Sequence, residues 1–126
     1  MLYGLAGQRP GYCPPMTIAL FAGIRVQDLG TARAWYERLL GEPAFFPNAT
    51  EVVWTLADDR HVYVQEDPGR AGDALVTLFV DDLDDRIAGI GARGLEPAER
   101  ETYANGVRKV TFRDADGNEI AFGGGE

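Results

Sequence analysis

Gly23-Ile24-Arg25-Val26-Gln27-Asp28-Leu29 is answered later in the chain by Leu78-Phe79-Val80-Asp81-Asp82-Leu83. Val26, Asp28 and Leu29 map onto Val80, Asp82 and Leu83 at a constant offset of 54, and Glu42-Pro43 maps onto Glu96-Pro97 at the same offset. A fixed internal period is the mark of one small unit used twice. It implies a pseudo-symmetric fold with a groove between the copies.

Outward from these stretches, each copy reads as strand, helix, then three strands. In the first, 18–26 is strand-like and Asp28 is placed to cap a helix. Leu29, Ala32, Tyr36, Leu39 and Leu40 follow at helical spacing, with Trp35 beside them, and Gly41 stands where a helix ends. Strands are expected near 44–46, 52–57 and 61–65, the last two joined by a tight turn at Asp58-Asp59. In the second copy, 74–80 is the strand and Asp81 or Asp82 caps a helix carrying Leu83, Ile87 and Ile90, which Gly94 ends. Strands follow near 96–101, 107–113 and 119–122. Asp114-Ala115-Asp116-Gly117-Asn118 has hairpin-turn chemistry. Glu66 to Gly72, rich in breakers, links the copies.

The totals bound the class. A chain of 126 residues with 45% apolar content is one packed globular domain. No apolar run is long enough to span a bilayer, so no membrane partner is expected. The single cysteine, Cys13, cannot close an internal disulfide, and the N-terminus lacks the order of a secretory signal, so a cytoplasmic location is expected. A net charge of −8 opposes non-specific nucleic-acid binding, and no nucleic-acid partner is expected. Residues 1–16, broken by Gly4, Gly7, Pro10, Gly11, Pro14 and Pro15, are expected to be a poorly ordered leader. The domain then covers 17–126, with repeats at about 17–66 and 73–123.

A doubled βαβββ unit, with Val26-Gln27-Asp28-Leu29, Ala34-Trp35-Tyr36, Leu40-Gly41 and the Asp114–Asn118 turn, resembles the vicinal oxygen chelate superfamily. That group includes glyoxalase I, extradiol dioxygenases and the fosfomycin- and bleomycin-resistance proteins. The resemblance covers about residues 17–123. It implies an α+β fold: two tandem βαβββ units forming a curved mixed sheet, with a concave groove and helices on the outer face. It also implies a homodimer. One fold hosts many chemistries, so the likeness bears more on architecture than on reaction.

Alternation along the strands sorts the faces. Leu20, Ala22, Ile24 and Val26 form one apolar face of the first strand, which should pack on the helix; Phe21, Gly23 and Arg25 form the other. The same test gives the groove His61, Tyr63 and Gln65, then Leu75, Thr77 and Phe79, then Glu119 and Ala121. Trp54 and Leu56 pair with Val110 and Phe112 as core, leaving Val53, Thr55, Lys109 and Thr111 on the groove side.

Metal-dependent members of the resembled superfamily take His or Glu ligands from four groove positions, as such ions require. Matched residue by residue, those positions are Phe21, Tyr63, Leu75 and Ala121. Phe, Leu and Ala cannot coordinate a metal, and one phenol cannot hold a divalent ion. No metal and no cofactor are therefore expected. A displaced site would have to use His61, the only histidine, and Glu119, its counterpart in the second copy; the plainer reading makes both solvated residues at hairpin ends.

What remains has the composition of a small-molecule pocket. Phe21, Tyr63, Leu75, Phe79 and Ala121 supply apolar surface; Thr55, Gln65, Thr77 and Thr111 supply hydrogen bonds; Arg25 and Lys109 supply positive charge. The resemblance implies that Arg25 meets a ligand carboxylate, and a guanidinium can do so bidentately; the other reading salt-bridges it to a neighbouring acid. Tyr63 either contacts a ligand or fills space, and Lys109 is either an acid–base group or a rim charge. The leading expectation is a binding protein with no catalytic residues. Against it stand a metal-dependent lyase, isomerase or dioxygenase using the displaced site, and an interaction module with a collapsed groove.

Overall fold

Asp28 begins the first helix as its position demands. Its backbone is extended and its carboxylate accepts from the Thr31 amide at 2.9 Å, satisfying one of the amides that a helix start leaves unbonded. That bond holds the Asp28 carboxyl below the ordinary carboxylate range. The computed structural model describes residues 18–125; the leader expected over 1–16, with Cys13, lies outside them. The first unit comprises β1 (Leu20–Val26), α1 (Leu29–Leu40), β2 (Phe45–Asn48), β3 (Glu51–Ala57) and β4 (Arg60–Glu66). The second comprises β5 (Leu75–Val80), α2 (Leu83–Ala92), β6 (Glu99–Thr102), β7 (Arg108–Arg113) and β8 (Glu119–Gly124). A single 3-10 turn, Pro68–Arg70, lies between them.

Both units are wound alike. Strand order is β1-β4-β3-β2 in one sheet and β5-β8-β7-β6 in the other. In each, the strand before the helix runs parallel to the last strand, and the remaining pairs are antiparallel. The chain thus carries two four-stranded mixed sheets with the two helices α1 and α2, the α+β fold expected. Side-chain periodicity specifies which face of a strand is buried; it carries no information on whether two strand edges meet.

α1 buries Ala32, Tyr36 and Leu39 against Ile24, Val26, Val52, Trp54, Val62 and Val64. α2 buries Leu83 and Ile90, which join Val110, Phe112, Ile120 and Phe122 in the same cluster. Each fully buried aliphatic or aromatic side chain contributes about 1.5–3 kcal/mol relative to exposure. The core faces read from alternation are the observed ones, with two exceptions. Leu20, at the start of β1, is 59% exposed. Leu56 remains 36% exposed, because the pairing of β3 with β4 shifts register between Thr55 and Ala57, where the hairpin turns.

A buried polar clasp joins the two units. Asp114 Oδ1 accepts the amides of Asp116 and Asn118, both at 2.9 Å. Its Oδ2 accepts the Tyr36 hydroxyl from α1 at 2.7 Å and Asn118 Nδ2 at 2.9 Å. Asn118 Nδ2 also donates to the Arg25 carbonyl at the end of β1, while its Oδ1 accepts the Ala74 amide just before β5, both at 2.9 Å. One turn in the second unit thereby fixes the end of the first strand and the start of the fifth. Tyr36 is fully buried, and burial first, then the bond to Asp114, push its ionisation well above the usual phenol range.

Candidate functional site

Strand register defines what each sheet presents on the face away from its helix. Residues opposite one another on paired strands share a face. In the first sheet the rows are Phe21–His61–Thr55, Gly23–Tyr63–Val53–Phe45 and Arg25–Gln65–Glu51. In the second they are Leu75–Glu119–Arg113, Thr77–Ala121–Thr111–Glu99 and Phe79–Gly123–Lys109–Glu101. Every residue assigned to the groove from alternation stands in these rows.

The rows differ in how open they are. Leu75 and Phe79 are 69% and 73% exposed, and Phe21 is 38% exposed. Thr55 and Thr77 are exposed, and Tyr63, Gln65 and Lys109 are half-buried. Val53, Thr111 and Ala121, by contrast, are buried. Ala121 lies between Thr77 and Thr111, whose longer side chains flank it.

Two aromatic rings lie across glycines. A Cβ on Gly23 would stand 2.7 Å from the Tyr63 ring carbon Cζ and from its hydroxyl, so Tyr63 occupies the space above β1. A Cβ on Gly123 would stand 3.2 Å from Phe79 Cε2 and Cζ, so Phe79 rests on β8. Phe21 stacks on His61 with ring centroids 4.4 Å apart and planes inclined by 20°, and approaches Tyr63 at 6.4 Å. The first sheet therefore carries an aromatic ridge of His61, Phe21 and Tyr63.

His61 is 4% exposed, not solvated at a hairpin end, because Phe21 covers it and Thr55 Oγ1 shares a 2.9 Å hydrogen bond with its Nδ1. Glu119 is held by Arg113 at 2.7 Å in the other sheet. Among the described residues no three His, Cys, Asp or Glu side chains gather as a metal-binding set. Arg25 pairs with Asp67 at 3.4 Å, and Asp67 also meets Arg70 at 3.5 Å. Arg25 is thus salt-bridged, the second of the two expectations for it.

Between the units opens a cleft of about 820 Å³. Leu20, Ala22 and Val62 border it from the first unit, Val76, Thr77, Leu78 and Phe79 from the second. Only Thr77 and Phe79 among the expected ligand-binding residues line it. Arg60 and Arg86, which also line it, carry no sequence signal for it, and Leu56, which lines it too, was expected in the core. The cleft is bounded by both faces of β5, so no single alternation pattern could have described it.

The doubled βαβββ winding with this arrangement of faces defines a class. Residues 17–122 match the model of the Glyoxalase/Bleomycin resistance protein/Dioxygenase superfamily, and the chain belongs to that family. It is 56% identical to a glyoxalase / bleomycin resistance protein from Catenulispora acidiphila, over 85% of this chain and 97% of that one, with a TM-score of 0.82. The fold is also that of a bleomycin-binding protein complexed with bleomycin, at 21% identity over 87% of this chain and all of that one, TM-score 0.70. A lactoylglutathione lyase from Agrobacterium tumefaciens shares it at 20% identity over 87% of this chain and 94% of that one, TM-score 0.68. No curated protein matches the sequence. Among the described residues no helix is long and apolar enough to cross a membrane.

Proposed function

We propose that this protein binds a small organic molecule on the helix-free faces of its sheets and holds it without a metal ion. The observation that carries the proposal is the open apolar surface of those faces, with Phe21, Leu75 and Phe79 exposed on faces that also present Thr55 and Thr77. Exposed apolar side chains interleaved with hydrogen-bonding groups mark a ligand surface. The bleomycin-binding relative of the same fold is complexed with a small molecule, which supports the reading.

Metal independence is supported by side-chain chemistry. Phe21, Leu75 and Ala121 have no lone pair to offer at three of the four positions that the family resemblance marks for ligands. The fourth, Tyr63, lies over Gly23. A displaced site on His61 and Glu119 would have to break the Thr55 and Arg113 contacts of two residues in different sheets. We further propose a homodimer in which a second copy walls the exposed face of β5. Light scattering should then report twice the 13.7 kDa of one chain.

The test combines metal analysis with a thermal-shift screen. Protein purified without chelator should carry less than stoichiometric nickel, zinc, manganese or iron, and at least one compound of a metabolite and antibiotic panel should raise its melting temperature. Stoichiometric metal that is lost in His61→Ala would refute the metal-free reading.

A further inference from the structure

Resting on the groove reading above, we infer that the ligand class is an aromatic or flat apolar molecule bearing an anionic group, with Phe79 as its stacking platform and Lys109 as its charge anchor. Phe79, Gly123 and Lys109 are consecutive in one transverse row of the second sheet, so their positions share a face. Neighbouring strands are about 4.8 Å apart, which sets the two side chains roughly 10 Å apart at their Cα atoms across the glycine. The Phe79 ring leans into that gap, its edge within van der Waals reach of Gly123, yet the residue is 73% exposed. One side of the ring rests on the strand while the other stays open, which is the arrangement a planar ligand needs for offset stacking.

The chain has twelve basic residues, of which Lys109 is the only lysine. Among the described residues, Arg25, Arg33, Arg70, Arg86, Arg108 and Arg113 each have a carboxylate within 4 Å. Arg93 donates instead to the carbonyls of Arg38 and Leu39. Arg38, Arg60, Arg100 and Lys109 have no such acid, and of these only Lys109 is half-buried rather than exposed. Glu101 is its cross-strand partner, but its carboxylate is not within ion-pair distance and takes the Tyr103 hydroxyl at 3.4 Å. In a protein of net charge −8, a half-buried ammonium with no carboxylate within 4 Å is the place where an incoming anion gains most. Thr77, exposed in the adjacent row, adds a hydroxyl on the same face. The ligand's flat body lies on Phe79 and its carboxylate, sulfonate or phosphate reaches Lys109; this is the opposite charge preference from that expected of the protein's overall acidity.

The test uses the full-length protein with three matched probes: 2-naphthoate, neutral 2-naphthamide and cationic 2-naphthylmethylammonium. Reductive methylation with carbon-13 formaldehyde preserves the lysine charge and places one side-chain NMR reporter in the chain, at Lys109, besides the terminal amine. Naphthoate should bind about tenfold tighter than naphthamide, the scale of one charge-assisted hydrogen bond in a half-wet site. It should also shift the Lys109 signal. Lys109→Gln should abolish the preference for the anion while leaving naphthamide binding unchanged, and Phe79→Ala should weaken both. Near-UV circular dichroism confirms that each variant is folded. Equal binding of anion and amide, a preference for the cation, or an anion preference that survives Lys109→Gln would overturn the inference while leaving the broader groove reading standing. Absence of binding by all three probes would overturn it too, whereas the broader reading fails only if no compound of the panel stabilises the protein.

Discussion

Replacing Asn118 by alanine should cost far more than its place in a turn suggests. The side chain is completely buried and makes three hydrogen bonds of 2.9 Å, to the Ala74 amide, the Arg25 carbonyl and Asp114 Oδ2. Alanine removes all three and is too small to replace them. At about 1 kcal/mol net for each lost bond, the variant loses about 3 kcal/mol, more if the stranded amide and carbonyl stay dry. For a chain of this size that corresponds to a fall in melting temperature of about 12 °C. Equilibrium urea unfolding, with the slope checked for constancy, gives the number directly. Asn118→Asp is the sharper companion. It keeps an acceptor for Ala74 but turns the donor toward Asp114 and the Arg25 carbonyl into an acceptor, setting two carboxylates against each other. It should be worse than alanine at neutral pH. A loss below about 1 kcal/mol in both variants would refute the view that this side chain joins the halves.

Tyr36→Phe should lose about 1.5–3 kcal/mol at neutral pH, the range for a hydrogen bond to a carboxylate. Because burial raises Tyr36 above its ordinary 10.0 in the folded protein, its contribution is fully present below pH 10 and is lost as unfolded tyrosine ionises above it. Urea melts at pH 8 and 11 should therefore show an alkaline decline that is shallower in Tyr36→Phe by about 1.4 kcal/mol per pH unit. Gly23→Ala should cost about 1–2 kcal/mol by displacing Tyr63, and most of that cost should vanish in a Tyr63→Ala background; additive costs in that cycle would mean that the ring does not need the glycine. Arg25→Gln should change stability by less than about 1 kcal/mol, since its pair with Asp67 is half exposed, and a larger loss by thermal melting would contradict the weak pairing.

The groove faces were legible because alternation is a local property. Phe21, Arg25, Tyr63, Thr77 and Lys109 stand on the strand faces that alternation assigned them, and Asp28 caps its helix as expected. What stayed hidden depends on contacts remote in sequence. Burial of His61 requires Phe21 from a strand forty residues earlier, and although a salt bridge was one of the two readings of Arg25, that its partner is Asp67 depends on where the connecting turn falls. Asp114 and Asn118 were recognised as turn formers, but turn chemistry does not reveal that their side chains also bond Tyr36, Arg25 and Ala74. The cleft between the units was illegible for the same reason: its walls belong to strands whose edges are not paired with each other.

The clasp has a consequence for the repeat itself. The turn between β3 and β4 is the bare pair Asp58-Asp59, whereas its counterpart between β7 and β8 carries the side chains that reach into both halves. The two halves are therefore no longer interchangeable. A chimaera made of two first halves would keep every helix and strand yet lack this clasp, while one made of two second halves would present two such turns and have no Tyr36 for either to hold.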